Sequence, residues 1–200
     1  RDPRDARAGD GERAPVLDEG HGEGVTSVRV AVLTVSDGVA RGEREDRGGP
    51  AIAEWCAAHG HAVVARAVVA DESLAIVRTL LAWCDGDACD VALCTGGTGL
   101  GPRDVTPEAV RALVEREVPG LAERLRVPEL DRFPRAALSR AIAGVRHRTL
   151  VVALPGSPSG VRDGLAALAP VLDHAVAIVR DHPTDHSPGA PASRAEPGAA

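Results

Sequence analysis

Residues 91–110 read VALCTGGTGLGPRDVTPEAV, and this stretch sets the architecture. Val91–Cys94 is a short, wholly apolar run of the kind that forms a strand buried on both faces. It leads directly into Thr95-Gly96-Gly97-Thr98-Gly99, three glycines in five residues. Beyond Arg103-Asp104, Thr106 stands where a helix N-cap belongs. Pro107 then takes the first helical position, with Ala109, Val110, Leu113 and Val114 on one face. Strand, glycine loop and helix in that order make one βα unit.

The flanking sequence repeats the alternation. Val28–Val35 (VRVAVLTV) is β-branched and runs into Ser36-Asp37-Gly38, and a helix follows from Gly49 to His59 with Pro50 in its first turn. Ala62–Val69 reads as a second strand. After Asp71, the spacing of Leu74, Ile76, Val77, Leu80 and Leu81 predicts a helix from Ser73. Downstream, Pro119-Gly120 breaks the chain before a helix from Leu121 to Val127. Ala141–Val145 and Thr149–Leu154 read as strands joined by a turn at Arg146–Arg148. Pro155-Gly156-Ser157-Pro158-Ser159-Gly160 then opens a long Ala/Leu/Val helix reaching Arg180. This pattern predicts an α/β domain over 25–181, with a mostly parallel sheet and helices on both faces. Residues 1–24 are expected to form a disordered arm and 182–200 a disordered tail. The chain starts at Arg1 rather than Met, so preceding sequence is expected.

Composition narrows the function. Apolar residues make up 44% of the 200-residue chain but aromatics only 2%, so the core must be built from Val, Leu, Ile and Ala. All 23 basic residues are Arg, which leaves Arg and backbone N–H groups as the only phosphate clamps. A net charge of −6 argues against a nucleic-acid partner. No apolar run approaches the roughly 18 residues of a membrane span, and no signal peptide is visible, so a soluble, cytoplasmic protein is expected. Cys56, Cys84, Cys89 and Cys94 have no metal-type spacing and read as small buried hydrophobes. The histidines read as surface or turn residues.

Ligands of an open parallel sheet gather beyond the C-terminal ends of its strands. Four polar or glycine-rich segments follow expected strand ends: Ser36-Asp37-Gly38, Asp71, Thr95–Asp104 and Pro155–Ser159. Without Cβ atoms in the way, the N–H groups of the 95–99 loop could approach a phosphate, although the loop also reads as a tight turn. Asp71 and Asp104 could face each other and hold Mg²⁺ on a nucleotide triphosphate. Alternatively, Asp71 is a residue of the N-cap region of the helix from Ser73, and Asp104 pairs with Arg103. Ser157 and Ser159 open a helix N-terminus suited to phosphate, or simply cap it.

Together these segments resemble the Mog/MoaB family of molybdenum-cofactor biosynthesis proteins, also found in gephyrin-like fusions. The resemblance rests on VAVLTVSDGVARGEREDRGG, ADES at 70–73, CTGGTGLGPRDVTPEAV at 94–110, PGLAERLR at 119–126, LSRAIAGVR at 138–146 and LPGSPSGVRDGL at 154–165. It implies a three-layer α/β/α sandwich, a homotrimer or hexamer, and Mg²⁺-dependent transfer of AMP from ATP to molybdopterin. It also implies Asp71 and Asp104 as the essential, metal-holding aspartates. Ser36, Asp37 and Thr95–Gly99 would line the nucleotide and pterin pocket beside Arg103, and Ser139, Arg140, Pro155, Gly156 and Ser157 would bind the pterin phosphate. A metal-insertase is the partner implied. The chain departs from the family where Asp46-Arg47-Gly48-Gly49 has glycine in place of a usual serine at 48. Two other readings are a catalytically silent molybdopterin carrier of the same family and a nucleotide-processing domain related to competence-damage proteins.

Overall fold

The computed structural model describes residues 27–127, 130, 131 and 133–182. The expected arm, and the expected tail after its first residue, lie outside them. Six strands, β1 (Arg29–Val35), β2 (Ala62–Val69), β3 (Val91–Thr95), β4 (Arg116–Glu117), β5 (Ala143–Arg146) and β6 (Thr149–Leu154), form one sheet in the order β2-β1-β3-β6-β5-β4. β2, β1, β3 and β6 run parallel. Among the described residues six α-helices accompany them, α1 (Asp37–Ala40), α2 (Gly48–Ala58), α3 (Ser73–Asp85), α4 (Thr106–Leu113), α5 (Pro119–Arg124) and α6 (Pro158–Val179), with a short 3₁₀ helix at Pro134–Leu138.

The uniformly apolar strands are explained by two separate cores. Alternate residues along a strand point to opposite faces. On one face Val30, Val32, Leu93 and Val152 meet Ile52 of α2 and Leu165, Leu168 and Leu172 of α6. On the other, Leu33, Ala92, Cys94 and Val151 meet Ile76 and Leu80 of α3 and Val110 and Leu113 of α4. Each fully buried Leu stabilises the fold by about 1.5–3 kcal/mol relative to exposure. The three-layer α/β/α arrangement follows from this two-sided burial.

The last two strands differ from the rest. β5 begins two residues later than its sequence suggests and pairs antiparallel with β6, while the short β4 adds antiparallel to β5. Only His147 and Arg148 separate β5 from β6, too few residues for a parallel crossover. His147 takes the turn with φ +48°. The expected helix from Leu121 to Val127 is instead α5, which starts at Pro119 and ends at Arg124.

Register decides where the loops meet. Thr34 pairs with Thr95 and Thr95 with Leu154, so β1, β3 and β6 end level. Val35 pairs with Val69, bringing the end of β2 to the same rim. The chain leaves β1 toward β2 on one side, while β3 lies on the other. That reversal opens a crevice at the sheet's C-terminal edge.

Candidate active site

The loops after β1, β2, β3 and β6 converge on that rim and enclose two adjoining clefts of about 710 and 690 Å³. Gly97, Asp104, Gly156 and Ser157 line both, and so form the junction. The first cleft is polar and takes in Ser36, Asp71, Thr95 and Gly96 with the 44–48 segment. The second is mostly apolar, walled by Leu125, Phe133 and Leu138 with Thr98, Gly99 and Ser139.

The glycine loop has a conformation that its residue types make possible. Gly96 has φ +100° and Gly97 φ +62°, and a Cβ on Gly96 would stand 2.2 Å from the Val35 carbonyl oxygen. The loop is fastened from behind. Thr106 is buried, and its Oγ1 donates to the Gly96 carbonyl at 2.8 Å, while its N–H donates to the Gly97 carbonyl at 3.1 Å. Thr106 is therefore not an N-cap. Helix α4 starts at Thr106, Val105 stands at the cap position, and the hydroxyl holds the loop instead. Thr95 Oγ1 donates to the Pro155 carbonyl at 2.8 Å and joins this loop to the next. The N–H groups of Gly97, Thr98 and Gly99 have no acceptor among the described residues.

Asp71 and Asp104 both line the polar cleft, and each has one carboxylate oxygen anchored. Asp71 Oδ2 accepts from Asp37 N at 2.7 Å, and Asp104 Oδ2 accepts from Gly101 N at 2.7 Å. Neither Oδ1 has a hydrogen-bond partner among the described residues. Asp71 does lie in the N-cap region of α3, one residue before Glu72 at the cap position, but no side chain caps that helix. Nor does Asp104 pair with Arg103, whose Nε and second terminal nitrogen donate to Asp37 at 3.0 and 2.9 Å. That guanidinium holds the Asp37 carboxyl below the ordinary range, and the Asp71 N–H bond adds to the effect.

Among the other candidates, Ser36 Oγ accepts from Val39 N and caps α1, and Ser157 Oγ accepts from Gly160 N at 3.1 Å and caps α6. Ser157 remains exposed at the junction. Three candidates line neither cleft: Asp37, Arg103 and Arg140. Arg140 donates to the Gly99 carbonyl at 2.8 Å and also to the Asp104 carbonyl and to Glu108, while its own N–H reaches the Thr98 carbonyl. Its fork braces the loop.

The departure at Gly48 has a local reason. A Cβ there would lie 2.9 Å from both Oγ1 and Cγ2 of Thr95, so serine could not enter without moving the Thr95 contact to Pro155. Sequence reasoning missed the cleft residues Thr34, Val39, Arg44 and Asp46, and the apolar wall around Phe133. Arg44, Asp46, Leu125 and Phe133 lie in irregular segments without periodicity, and Leu138 ends a short 3₁₀ helix, Pro134–Leu138. Phe133, the lone Phe of a chain poor in aromatics, was the one available signal. Of the histidines, His59 is exposed, but His61 is half-buried with its Nδ1 unpaired, and burial lowers its pKa.

Residues 31–174 match the family model described as "Probable molybdopterin binding domain". The molybdopterin adenylyltransferase of Helicobacter pylori strain J99 is 36% identical over 155 residues, covering 76% of this chain and 88% of that protein. The molybdopterin adenylyltransferase of Escherichia coli K12 is 35% identical over 143 residues, covering 70% and 73%. The crystal structure of the molybdopterin biosynthesis enzyme MoaB from Thermus thermophilus superposes with a TM-score of 0.74 at 51% identity, covering 78% of this chain and 98% of that one.

Proposed function

The chain belongs to the Mog/MoaB family of molybdenum cofactor biosynthesis proteins, and on that footing we propose that it transfers the adenylyl group of ATP to the terminal phosphate of molybdopterin. A phosphate oxygen attacks the α-phosphorus, the bond to the bridging oxygen of the β-phosphate breaks, and pyrophosphate departs with that electron pair. The observation that carries this reading is the meeting, where the two clefts join, of two half-anchored aspartates with a run of free backbone N–H groups that passes from one cleft into the other.

The attacking phosphate is already anionic, so no strong general base is needed. The demand is to align two anions and offset their charge. The N–H groups of Gly97, Thr98 and Gly99 and the N-terminus of α6 supply fixed positive dipoles at the junction. The apolar cleft suits a flat heterocycle, which both substrates carry, and the polar cleft suits the polyphosphate. Two carboxylate oxygens are too few to hold a metal alone, and the described residues contain no cluster of three or more His, Cys, Asp or Glu side chains that could. They fit Mg²⁺ that arrives on ATP and takes its other ligands from phosphate and water oxygens. When bound, such an ion neutralises polyphosphate charge. Asp71 and Asp104 would hold it.

The test is pyrophosphate release from Mg-ATP in the presence of molybdopterin. Turnover should be measurable in the wild type and fall roughly 100-fold or more in Asp104→Ala. Wild-type protein that binds molybdopterin without releasing pyrophosphate would replace this reading with that of a silent carrier. Assembly as a homotrimer or hexamer, and docking with a metal-insertase, are proposed on family likeness alone. Light scattering and co-purification test them.

A further inference from the structure

We infer that Arg44 is the polyphosphate-binding arginine of the polar cleft, holding the part of ATP that leaves as pyrophosphate. This rests on the adenylyl-transfer reading. The chain has no lysine, so a side-chain cation at the polyphosphate must be an arginine. Arg103 is forked onto Asp37, and Arg140 is committed to the Gly99 and Asp104 carbonyls and Glu108. Only Arg44 and Arg47 line the polar cleft among the described residues. Arg47 pairs with Glu45 at 3.2 Å. The guanidinium of Arg44 has no hydrogen-bond or ion-pair partner among the described residues.

Arg44 is also held in place at its base. Glu43 N and Arg44 N both donate to the Gly38 carbonyl, at 2.8 and 3.1 Å. Gly38 is buried, and a Cβ on it would stand 2.7 Å from Arg44 Cδ. The absent side chain at 38 is thus the space in which the Arg44 stem lies. The acidic groups around it do not compete for the guanidinium. Asp46 accepts from Thr34 Oγ1 and Gly49 N, both at 2.9 Å, and Glu45 is occupied by Arg47. A charged fork with a fixed stem and no protein partner, in a cleft shared with Asp71 and Asp104, is matched to phosphate oxygens.

The test is equilibrium binding of Mg-ATP, Mg-pyrophosphate and AMP to the full chain, with circular dichroism to verify folding of each variant. Arg44→Ala should bind ATP and pyrophosphate roughly 10- to 100-fold more weakly, the range expected for a lost charge-assisted contact, and AMP unchanged. Arg44→Lys should recover part of the loss. Arg41→Ala removes the same charge from the same loop, where Arg41 pairs with Glu43 outside the cleft, and should bind all three like wild type. Gly38→Ala should weaken ATP in the same direction, and adding it to Arg44→Ala should cost nothing further. Unchanged ATP and pyrophosphate binding in Arg44→Ala, or an equal loss for AMP, overturns the inference. Wild-type protein that binds pyrophosphate through Arg44 but not ATP overturns the adenylyl-transfer reading and leaves the subsite standing. Binding of neither overturns both.

Discussion

Asp37 and Asp71 hold each other through reciprocal bonds across 34 residues: Asp71 Oδ2 accepts from Asp37 N at 2.7 Å, and Asp37 Oδ1 accepts from Asp71 N at 3.0 Å. The exchange ties the end of β1 to the end of β2 and turns the free oxygen of Asp71 into the polar cleft. Asp37 is in turn held by the Arg103 fork. Asp37 is therefore a positioning residue for Asp71, linked to the glycine-loop segment.

Asp37→Ala should lower turnover by about 10- to 100-fold, since displacement of a reacting group by about an ångström costs that much. On the adenylyl-transfer reading the KM for ATP should change less, because the proposed polyphosphate contacts, Arg44 and the loop N–H groups, remain. Asp37→Asn keeps an acceptor for Asp71 N and should recover most of the rate. Steady-state kinetics of the three proteins decide it. An equal loss in the Asn variant would show that the carboxylate charge acts in its own right.

Thr106→Val should lower stability by about 1–3 kcal/mol, because it leaves the buried Gly96 carbonyl without its hydroxyl donor. Thr106→Ser keeps the bond and should lose far less. Urea unfolding measures both. A larger loss in Thr106→Ser than in Thr106→Val would mean that the methyl group, not the hydroxyl, matters at this site.

Stability should fall in acid with a contribution from arginine-paired aspartates, Asp37 half-buried and Asp85 and Asp87 exposed. Arg103 at Asp37, Arg146 at Asp85 and Arg180 at Asp87 each hold a carboxyl below its ordinary range. A carboxyl depressed in the folded state binds its proton more readily when unfolded. Its stabilisation is therefore complete above the unfolded value of about 3.9 and disappears as pH falls through the folded value. Solvent screening keeps each effect small. Urea midpoints followed from neutral pH into acid should drop, and Asp85→Asn should flatten that limb. An acid limb unchanged in Asp85→Asn would remove the Arg146 pair from the explanation.

All four cysteines are free and buried, and burial raises each thiol's pKa: Cys56 and Cys84 to about 11, Cys89 to about 12, and Cys94 further still. The thiolate is the reactive form, so the native protein should resist alkylation at mildly alkaline pH. In concentrated guanidinium all four should label. Mass spectrometry counts the adducts, and rapid native labelling at any of them would place that thiol on an accessible surface.

Much of the fold and the candidate site was legible in the sequence because its signals are local. The apolar run at 91–94 required a strand buried on both faces, and the glycines at 96 and 97 supplied the backbone freedom for the turn that follows. The ends of parallel strands lie on one rim by topology, so Asp71, the 95–99 loop and the 155–157 loop were expected together, and all contribute to the clefts. Hydrogen-bond partners distant along the chain were not legible. Thr106 has the residue type and place of an N-cap, yet its hydroxyl goes to Gly96, a partner that exists only once the loop has folded back. Arg103, Arg140 and Arg44 are alike as residue types. Strand register and loop closure decide which of them is bound to a carboxylate, which braces carbonyls and which has its charge free. A sequence specifies each side chain's chemistry and the local conformation of its backbone, whereas an ionic or hydrogen-bonding group acts according to what lies within about 3 Å of it, and only the packed sheet determines that.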